Sequence, residues 1–225
     1  MSGTAARGAF ITFEGGEGAG KSTQLRLVAA RLREMGHAVV ATREPGGSPG
    51  AEALRELLLF GKHDLSARAE IMTHFAARCD HVDRVIRPAI AAGQIVLCDR
   101  FFDSTMAYQG YGRGQGDAGL IGLIASLRGL IDLDPDLTVL FEVGLETGRR
   151  RIAARAAANT PAGAAATLDR YERADQEFHA RVAQGFQAIA AHEPVRFARV
   201  SSESASVESV TARVVEIIET FLKGR

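Results

Sequence analysis

The stretch Phe10-Ile11-Thr12-Phe13-Glu14-Gly15-Gly16-Glu17-Gly18-Ala19-Gly20-Lys21-Ser22-Thr23 begins as a short apolar run. It then becomes glycine-rich and leads into a helical pattern over Lys21–Met35. Gly15, Gly20, Lys21 and Ser22 fill the fixed positions of the pattern G-x-x-x-x-G-K-[ST]. Glycines let the backbone fold into a nest whose N–H groups converge on phosphate oxygens, and the helix that follows adds its positive end. Lys21 then reaches the β- and γ-phosphates, and the Ser22 hydroxyl is placed for Mg²⁺. A strand before and a helix after are the context this motif requires. Residues 15–23, including Gly16, Glu17, Gly18, Ala19 and Thr23, are therefore the expected binding loop for a nucleoside triphosphate such as ATP.

Working outward, five apolar β-rich runs recur at Phe10–Phe13, Ala38–Thr42, Ile95–Cys98, Leu137–Val143 and Val195–Val200. They are nearly continuous rather than alternating, as strands buried on both faces are. Helical patterns lie between them at Lys21–Met35, Gly50–Phe60, Ala67–Ala92, Asp117–Leu130, Leu145–Ala158, Asp169–Ala191 and Val207–Leu222, with Pro88 predicted to kink or divide the third. This alternation predicts an α/β protein with three layers, a five-stranded parallel sheet covered by helices on both faces: the P-loop NTPase fold. With no internal repeat and no Pro/Ser linker, residues 10–225 read as one domain after a loose tail over residues 1–9.

Composition narrows the partners. Lys plus Arg (27) balance Asp plus Glu (27) in 225 residues, so the chain lacks the basic excess with which proteins hold a nucleic-acid polymer. Small anions need only local cations. No apolar run approaches the roughly 20 residues of a membrane span, and Met1–Ala9 carries no apolar core of a signal peptide. A cytoplasmic protein is expected. The two cysteines, Cys79 and Cys98, read as reduced structural thiols in apolar stretches. Cys79, His81 and Asp83 are spaced by two, which turns successive side chains apart on a helix, so they do not form a metal site.

Ligands of an open parallel sheet bind beyond the carboxyl ends of its strands. The second strand ends in Thr42-Arg43-Glu44-Pro45 and the third in Cys98-Asp99-Arg100. Arg43 and Arg100, with Arg55, are therefore expected to clamp a second, non-transferred phosphate, with Asp99 on the same edge. Residues 156–167 are small and rich in Ala. They follow Arg149, Arg150, Arg151 and Arg155 and precede Asp169-Arg170-Tyr171-Glu172, which together read as a mobile lid over about 149–172. No Asn/Thr-Lys-x-Asp run is present, which argues against a GTPase switch.

From Phe10 to about Phe221 the chain resembles the thymidylate kinases, within the P-loop nucleoside monophosphate kinases. The resemblance is carried by FEGGEGAGKSTQ, TREPGG, CDRFFDSTMAYQGYGRG and DRYERADQEFHARV. It implies transfer of the ATP γ-phosphoryl group to dTMP, with Mg²⁺, in dTTP synthesis, by a homodimer. It implies that Arg100, Arg43 and Arg55 hold the dTMP phosphate, that Arg78 and Gln109 bond the thymine edge near Thr105, and that Tyr108 and Tyr111 line the sugar side. Glu17 matches an acidic residue near the transferred group. With no Arg in Gly16–Ala19, the resemblance implies a catalytic arginine from the lid, Arg155 or Arg170, leaving Arg149 to Arg151 on the helix surface. His74 stands four residues before Arg78, where the family usually has Phe stacking on the base. An imidazole there is expected to stack in its place and to make dTMP KM vary between pH 6 and 8, with Phe75 turned into the core.

Overall fold

The computed structural model describes residues 7–159 and 169–225. The first six residues of the expected tail and the centre of the expected lid, 160–168, lie outside the described residues. Five strands, β1 (Phe10–Glu14), β2 (Val39–Arg43), β3 (Ile95–Asp99), β4 (Leu137–Glu142) and β5 (Phe197–Ser201), form one parallel sheet in the order β2-β3-β1-β4-β5. Five expected strands are five observed strands. Val195, expected to open the fifth, is instead fully exposed.

The helices are α1 (Lys21–Glu34), α2 (Pro49–Phe60), α3 (Ala67–His81), α4 (Arg87–Ala91), α5 (Phe102–Thr105), α6 (Ala118–Ile131), α7 (Leu145–Asn159), α8 (Gln176–His192) and α9 (Val207–Lys223). Alternation along β1 sorts the two cores. Ile11 and Phe13 join Val28 and Leu32 of α1 and Val214 and Ile218 of α9 on one face. Phe10 points the other way, among Ile71 and Phe75 of α3, Val96, Cys98 and Ile124. Thr12, fully buried on the central strand, is satisfied by Thr138 across the ladder at 2.8 Å.

Three expectations change. Gly8 and Ala9 are not part of a loose tail: the Gly8 amide donates to Ile90 at 3.0 Å, the Ala9 carbonyl accepts from Val96 at 2.8 Å, and Ala9 is buried. The long third helix divides before Pro88, not at it. A π-helical turn over Val82–Ile86 separates α3 from α4, whose first turn holds the proline. Proline lacks an N–H and crowds the carbonyl four residues back, so the widened turn falls just ahead of it. Finally, the helix predicted from Asp169 starts at Gln176. Asp169 accepts from the backbone of Tyr171 at 2.8 Å and Glu172 at 2.9 Å, a local turn that outcompetes the helix, and Asp175 then caps α8 by accepting from Phe178 at 2.7 Å.

Candidate active site

The phosphate loop lies between β1 and α1, at the centre of the sheet. Gly15 (φ 136°) and Gly18 (φ 72°) have left-handed backbones against other chain segments; a Cβ would meet the Phe141 carbonyl at 2.3 Å in the first case and that of Gly148 at 2.3 Å in the second. Lys21 folds back over the loop, its Nζ donating to the Gly15 carbonyl at 3.0 Å and that of Gly16 at 2.7 Å. Burial and the nearby Arg100 cation lower its pKa to about 8.

Asp99 was expected on the acceptor side. Parallel pairing sets it level with Phe13 of β1 and Arg43 of β2, and its Oδ2 accepts the Ser22 hydroxyl at the head of α1. Its Oδ1 is buried without a partner among the described residues. A hydroxyl and a carboxylate with an oxygen to spare are hard donors of the kind Mg²⁺ takes, so these two residues fit the ion.

Arg100 has a positive φ of 71°, unusual for a residue with a side chain. The turn is held by Glu14, the last residue of β1, which accepts the Phe101 amide at 2.7 Å and the Ser104 hydroxyl at 2.6 Å. Burial, and then the Asp103 carboxylate, push the Glu14 carboxyl above the usual carboxylate range. Thus oriented, the Arg100 guanidinium donates to Glu17 at 2.6 Å, to the Gly15 carbonyl at 3.1 Å and to Ser104 at 3.1 Å, and lies over the Tyr108 ring at 4.8 Å.

At the other end of the cleft Arg43 pairs with Glu52 at 3.1 Å and Arg55 donates to the Pro45 carbonyl at 2.8 Å. Burial, and then Arg43, push Arg55 below its ordinary value, a strain that an anion would relieve. Arg78 is 2% exposed; its Nε donates to Glu44 at 2.7 Å and one Nη to Thr105 at 3.1 Å, while Nη1 has no partner among the described residues. Glu44 is in turn shared with His81 at 3.0 Å, and His81 contacts Thr42 at 2.7 Å. His81 is thus a buried support for Arg78, while Cys79, read as a structural thiol in an apolar stretch, is exposed. Phe75 is core and lies beneath the Arg78 guanidinium at 4.7 Å.

His74 lines the cleft, with its Nε2 3.0 Å from the Tyr171 hydroxyl. Burial, reinforced by Arg78, lowers its pKa to about 3, a direction that runs against the expected titration between pH 6 and 8. Gln109 donates to Glu70 and to Tyr171, each at 2.9 Å. Tyr108 and Gln109 belong to a π-helical segment, Met106–Arg113, that the strand-and-helix pattern did not reveal. Tyr111 lies outside the cleft lining, against Gly185, where a Cβ would meet it at 2.9 Å.

The two lid arginines separate. Arg155 lines the cleft and pairs with Glu172. Arg170 turns away to Asp64 at 3.4 Å and Glu70 at 3.6 Å. One cleft of about 340 Å³ joins Lys21, Ser22, Asp99 and Glu17 to Arg43, Arg55, Arg78, Arg100, Thr105, His74, Tyr108, Gln109 and Arg155. Sequence reasoning missed Glu44, Glu70 and Tyr171. Glu70 was signalled only by its spacing, four residues before His74 on the same helical face.

A nest of loop amides and a lysine at one end, a group of arginines at the other and a parallel sheet beneath define a P-loop phosphotransferase. The comparisons agree on which one. The sequence profile of the thymidylate kinase family matches residues 13–214. The chain is 50% identical to the thymidylate kinase of Gluconobacter oxydans over 218 residues, 97% of each chain. It is 48% identical to that of Rhizorhabdus wittichii over 96% of this chain and 99% of the other. A crystal structure of the thymidylate kinase from Ehrlichia chaffeensis matches with TM-score 0.73 and 34% identity, covering 95% of this chain and 99% of that one. The chain belongs to the thymidylate kinase family. It is an enzyme of the nucleoside monophosphate kinase class, whose reaction is phosphorylation of dTMP by ATP.

Proposed function

We propose that the cleft carries out ATP + dTMP → ADP + dTDP, a step of dTTP synthesis, with the following division of labour. The phosphate loop from Gly15 to Thr23 holds the ATP phosphates through its amides, and Lys21 neutralises charge on the transferring group. Ser22 and Asp99 hold Mg²⁺, which when bound supplies positive charge against the phosphate oxygens. Arg43, Arg55 and Arg100 hold the dTMP phosphate, Arg78 and Gln109 bond the thymine edge beside Thr105, His74 stacks on the base, and Tyr108 and Glu17 flank the sugar and the transferred group. The acceptor phosphate is already ionised, so alignment and charge neutralisation are what the side chains must provide.

The single observation that carries this reading is that the phosphate loop and the acceptor arginines line one continuous cleft. Arg155 is the lid's catalytic arginine, since it lines that cleft and Arg170 does not. The enzyme works as a cytoplasmic homodimer. Support for the dimer comes from exposed apolar side chains on neighbouring helices, Met72 of α3 and Leu130 of α6. Among the described residues no helix is long and apolar enough to cross a membrane.

The test is ADP release with dTMP, dUMP, dCMP, AMP and GMP as acceptors. dTMP is expected to be best, and dUMP poorer by the worth of one methyl, about 1–3 kcal/mol. Equal turnover with AMP overturns the assignment.

A further inference from the structure

We infer that the Glu70 carboxylate sets the hydrogen-bond polarity of the base-binding edge and so makes the cleft select an imide base over an aminopyrimidine. The inference rests on the reading of dTMP as acceptor and extends it to a residue behind the binding surface. Glu70 is fully buried on α3, with Arg113 against its Oε2 and Arg170 3.6 Å away. Its Oε1 meets the Gln109 amide nitrogen at 2.9 Å and the Tyr171 hydroxyl at 3.1 Å.

A carboxylate only accepts, so both neighbours must donate to it. The single hydroxyl proton of Tyr171 is thereby committed to Glu70, and the tyrosine oxygen can only accept from its remaining neighbours. It accepts the second Gln109 amide hydrogen at 2.9 Å and the His74 Nε2 at 3.0 Å, which makes Nε2 the protonated nitrogen of a neutral His74. Which way an amide points is ordinarily a matter of assignment. Here the reversed amide would set the Gln109 carbonyl against an anionic oxygen. Both Gln109 hydrogens are therefore held behind the pocket, and its carbonyl oxygen is the group left to accept. Arg78 offers the complementary donor, its buried Nη1 being without a partner among the described residues.

An acceptor beside a donor matches the N3–H and O4 of thymine or uracil. Cytosine presents N3 as an acceptor and N4 as a donor and is mismatched at both points. A site built to bond polar groups rejects an analogue that leaves them unpaired far more strongly than one that lacks a methyl. Glu70 is a positioning residue: it acts through Gln109 and Tyr171.

The experiment compares kcat/KM for dTMP, dUMP and dCMP in the wild type, Glu70→Gln, Gln109→Ala and the double variant, with ATP saturating. A Gln at position 70 can donate as well as accept, so it releases the Gln109 amide to turn. The expected result is a rise in dTMP KM of about ten-fold with a smaller change in kcat. The dTMP:dCMP ratio should fall by about ten-fold or more and the dTMP:dUMP ratio should be held within about two-fold. In the Gln109→Ala background, Glu70→Gln should leave the dTMP:dCMP ratio unchanged. An undiminished ratio in Glu70→Gln, or an equal fall in the absence of the Gln109 amide, overturns the inference. If circular dichroism finds Glu70→Gln unfolded, Glu70→Asp makes the same comparison. It keeps the charge opposite the arginines but draws the acceptor back by one methylene, and an unchanged ratio there overturns the inference equally. Absence of dTMP phosphorylation in the wild type would overturn the functional reading itself, whereas wild-type activity with unaltered discrimination in the variants overturns only the role of Glu70.

Discussion

Glu17 of the phosphate loop and Arg100 of the acceptor edge are bonded to each other at 2.6 Å, and the Tyr108 hydroxyl donates to the same Glu17 oxygen at 2.9 Å. One ion pair thus ties the phosphate-loop end of the cleft to the end of β3. Burial alone would raise the Glu17 pKa, but Arg100, Lys21 and Tyr108 outweigh it and hold the carboxylate at about 2.

Glu17→Gln removes the charge opposite Arg100 while keeping the shape. Since both side chains are mostly enclosed, losing one partner leaves a poorly solvated cation, and cost falls on stability as well as on alignment. The expected outcome is a drop in kcat/KM for dTMP of about ten-fold or more with a lower Tm, read by steady-state kinetics and thermal unfolding. Because the native pKa lies below the unfolded value of 4.5, this contribution is present at neutral pH and is lost only as pH falls from there through about 2. A Tm difference between Glu17→Gln and the native protein that shrank between pH 8 and 6 would contradict it.

Lys21 gives a prediction on the alkaline side. Its native pKa of about 8 lies below the ordinary 10.5, so between those values the unfolded chain binds the extra proton and stability rises with pH. The cost of the buried charge is fully present below pH 8. A nucleotide triphosphate restores a partner for that charge, so ATP binding near pH 8 should take up a proton and weaken as pH rises further. Calorimetry in two buffers of different ionisation enthalpy measures the uptake. Lys21→Ala should abolish it, and should lower kcat severely in a protein that stays folded.

With burial, and then Arg78, lowering its pKa to about 3, His74 should contribute no titration to catalysis. The profile of dTMP KM between pH 6 and 8 should be the same in His74→Phe as in the native enzyme, and the His74 ring resonances should not move over that range. Base–aromatic stacking is worth about 1–3 kcal/mol, so His74→Ala should raise dTMP KM about ten-fold. The stability consequence has the opposite sign from a salt-bridged histidine: stability falls as pH drops below 6.5, where the unfolded chain takes the proton that the native ring refuses.

Arg155→Ala and Arg170→Ala should fail differently. Arg155 lines the cleft, and its loss should lower kcat by about a hundred-fold with little change in ATP KM. Arg170 faces Asp64 and Glu70, so its loss should lower Tm and raise dTMP KM while sparing kcat. Thermal unfolding beside a kinetic split for each variant decides between these roles, and equal kcat losses would remove the distinction.

What the sequence determined by itself is whatever local chemistry dictates. A glycine nest between an apolar strand and a helix works through its own backbone, so Gly15 to Thr23 were legible as a phosphate loop without any neighbour. The buried strands were legible for the same reason, since each carries its pattern within five or six residues. The strand-end arginines followed from one rule about where parallel sheets bind.

What only the tertiary structure decided is which groups face one another. Asp99 reaches Ser22 from 77 residues away because β3 pairs beside β1. Glu70 meets Tyr171 across 101 residues, and the lowered pKa of His74 comes from burial that its sequence neighbours do not announce. The start of α8 likewise turned on whether the Asp169 side chain would bond its own backbone, a competition between a turn and a helix that hydrophobic periodicity does not register. Hydrogen-bond direction and desolvation depend on all the groups around an atom, and most of those arrive from elsewhere in the chain.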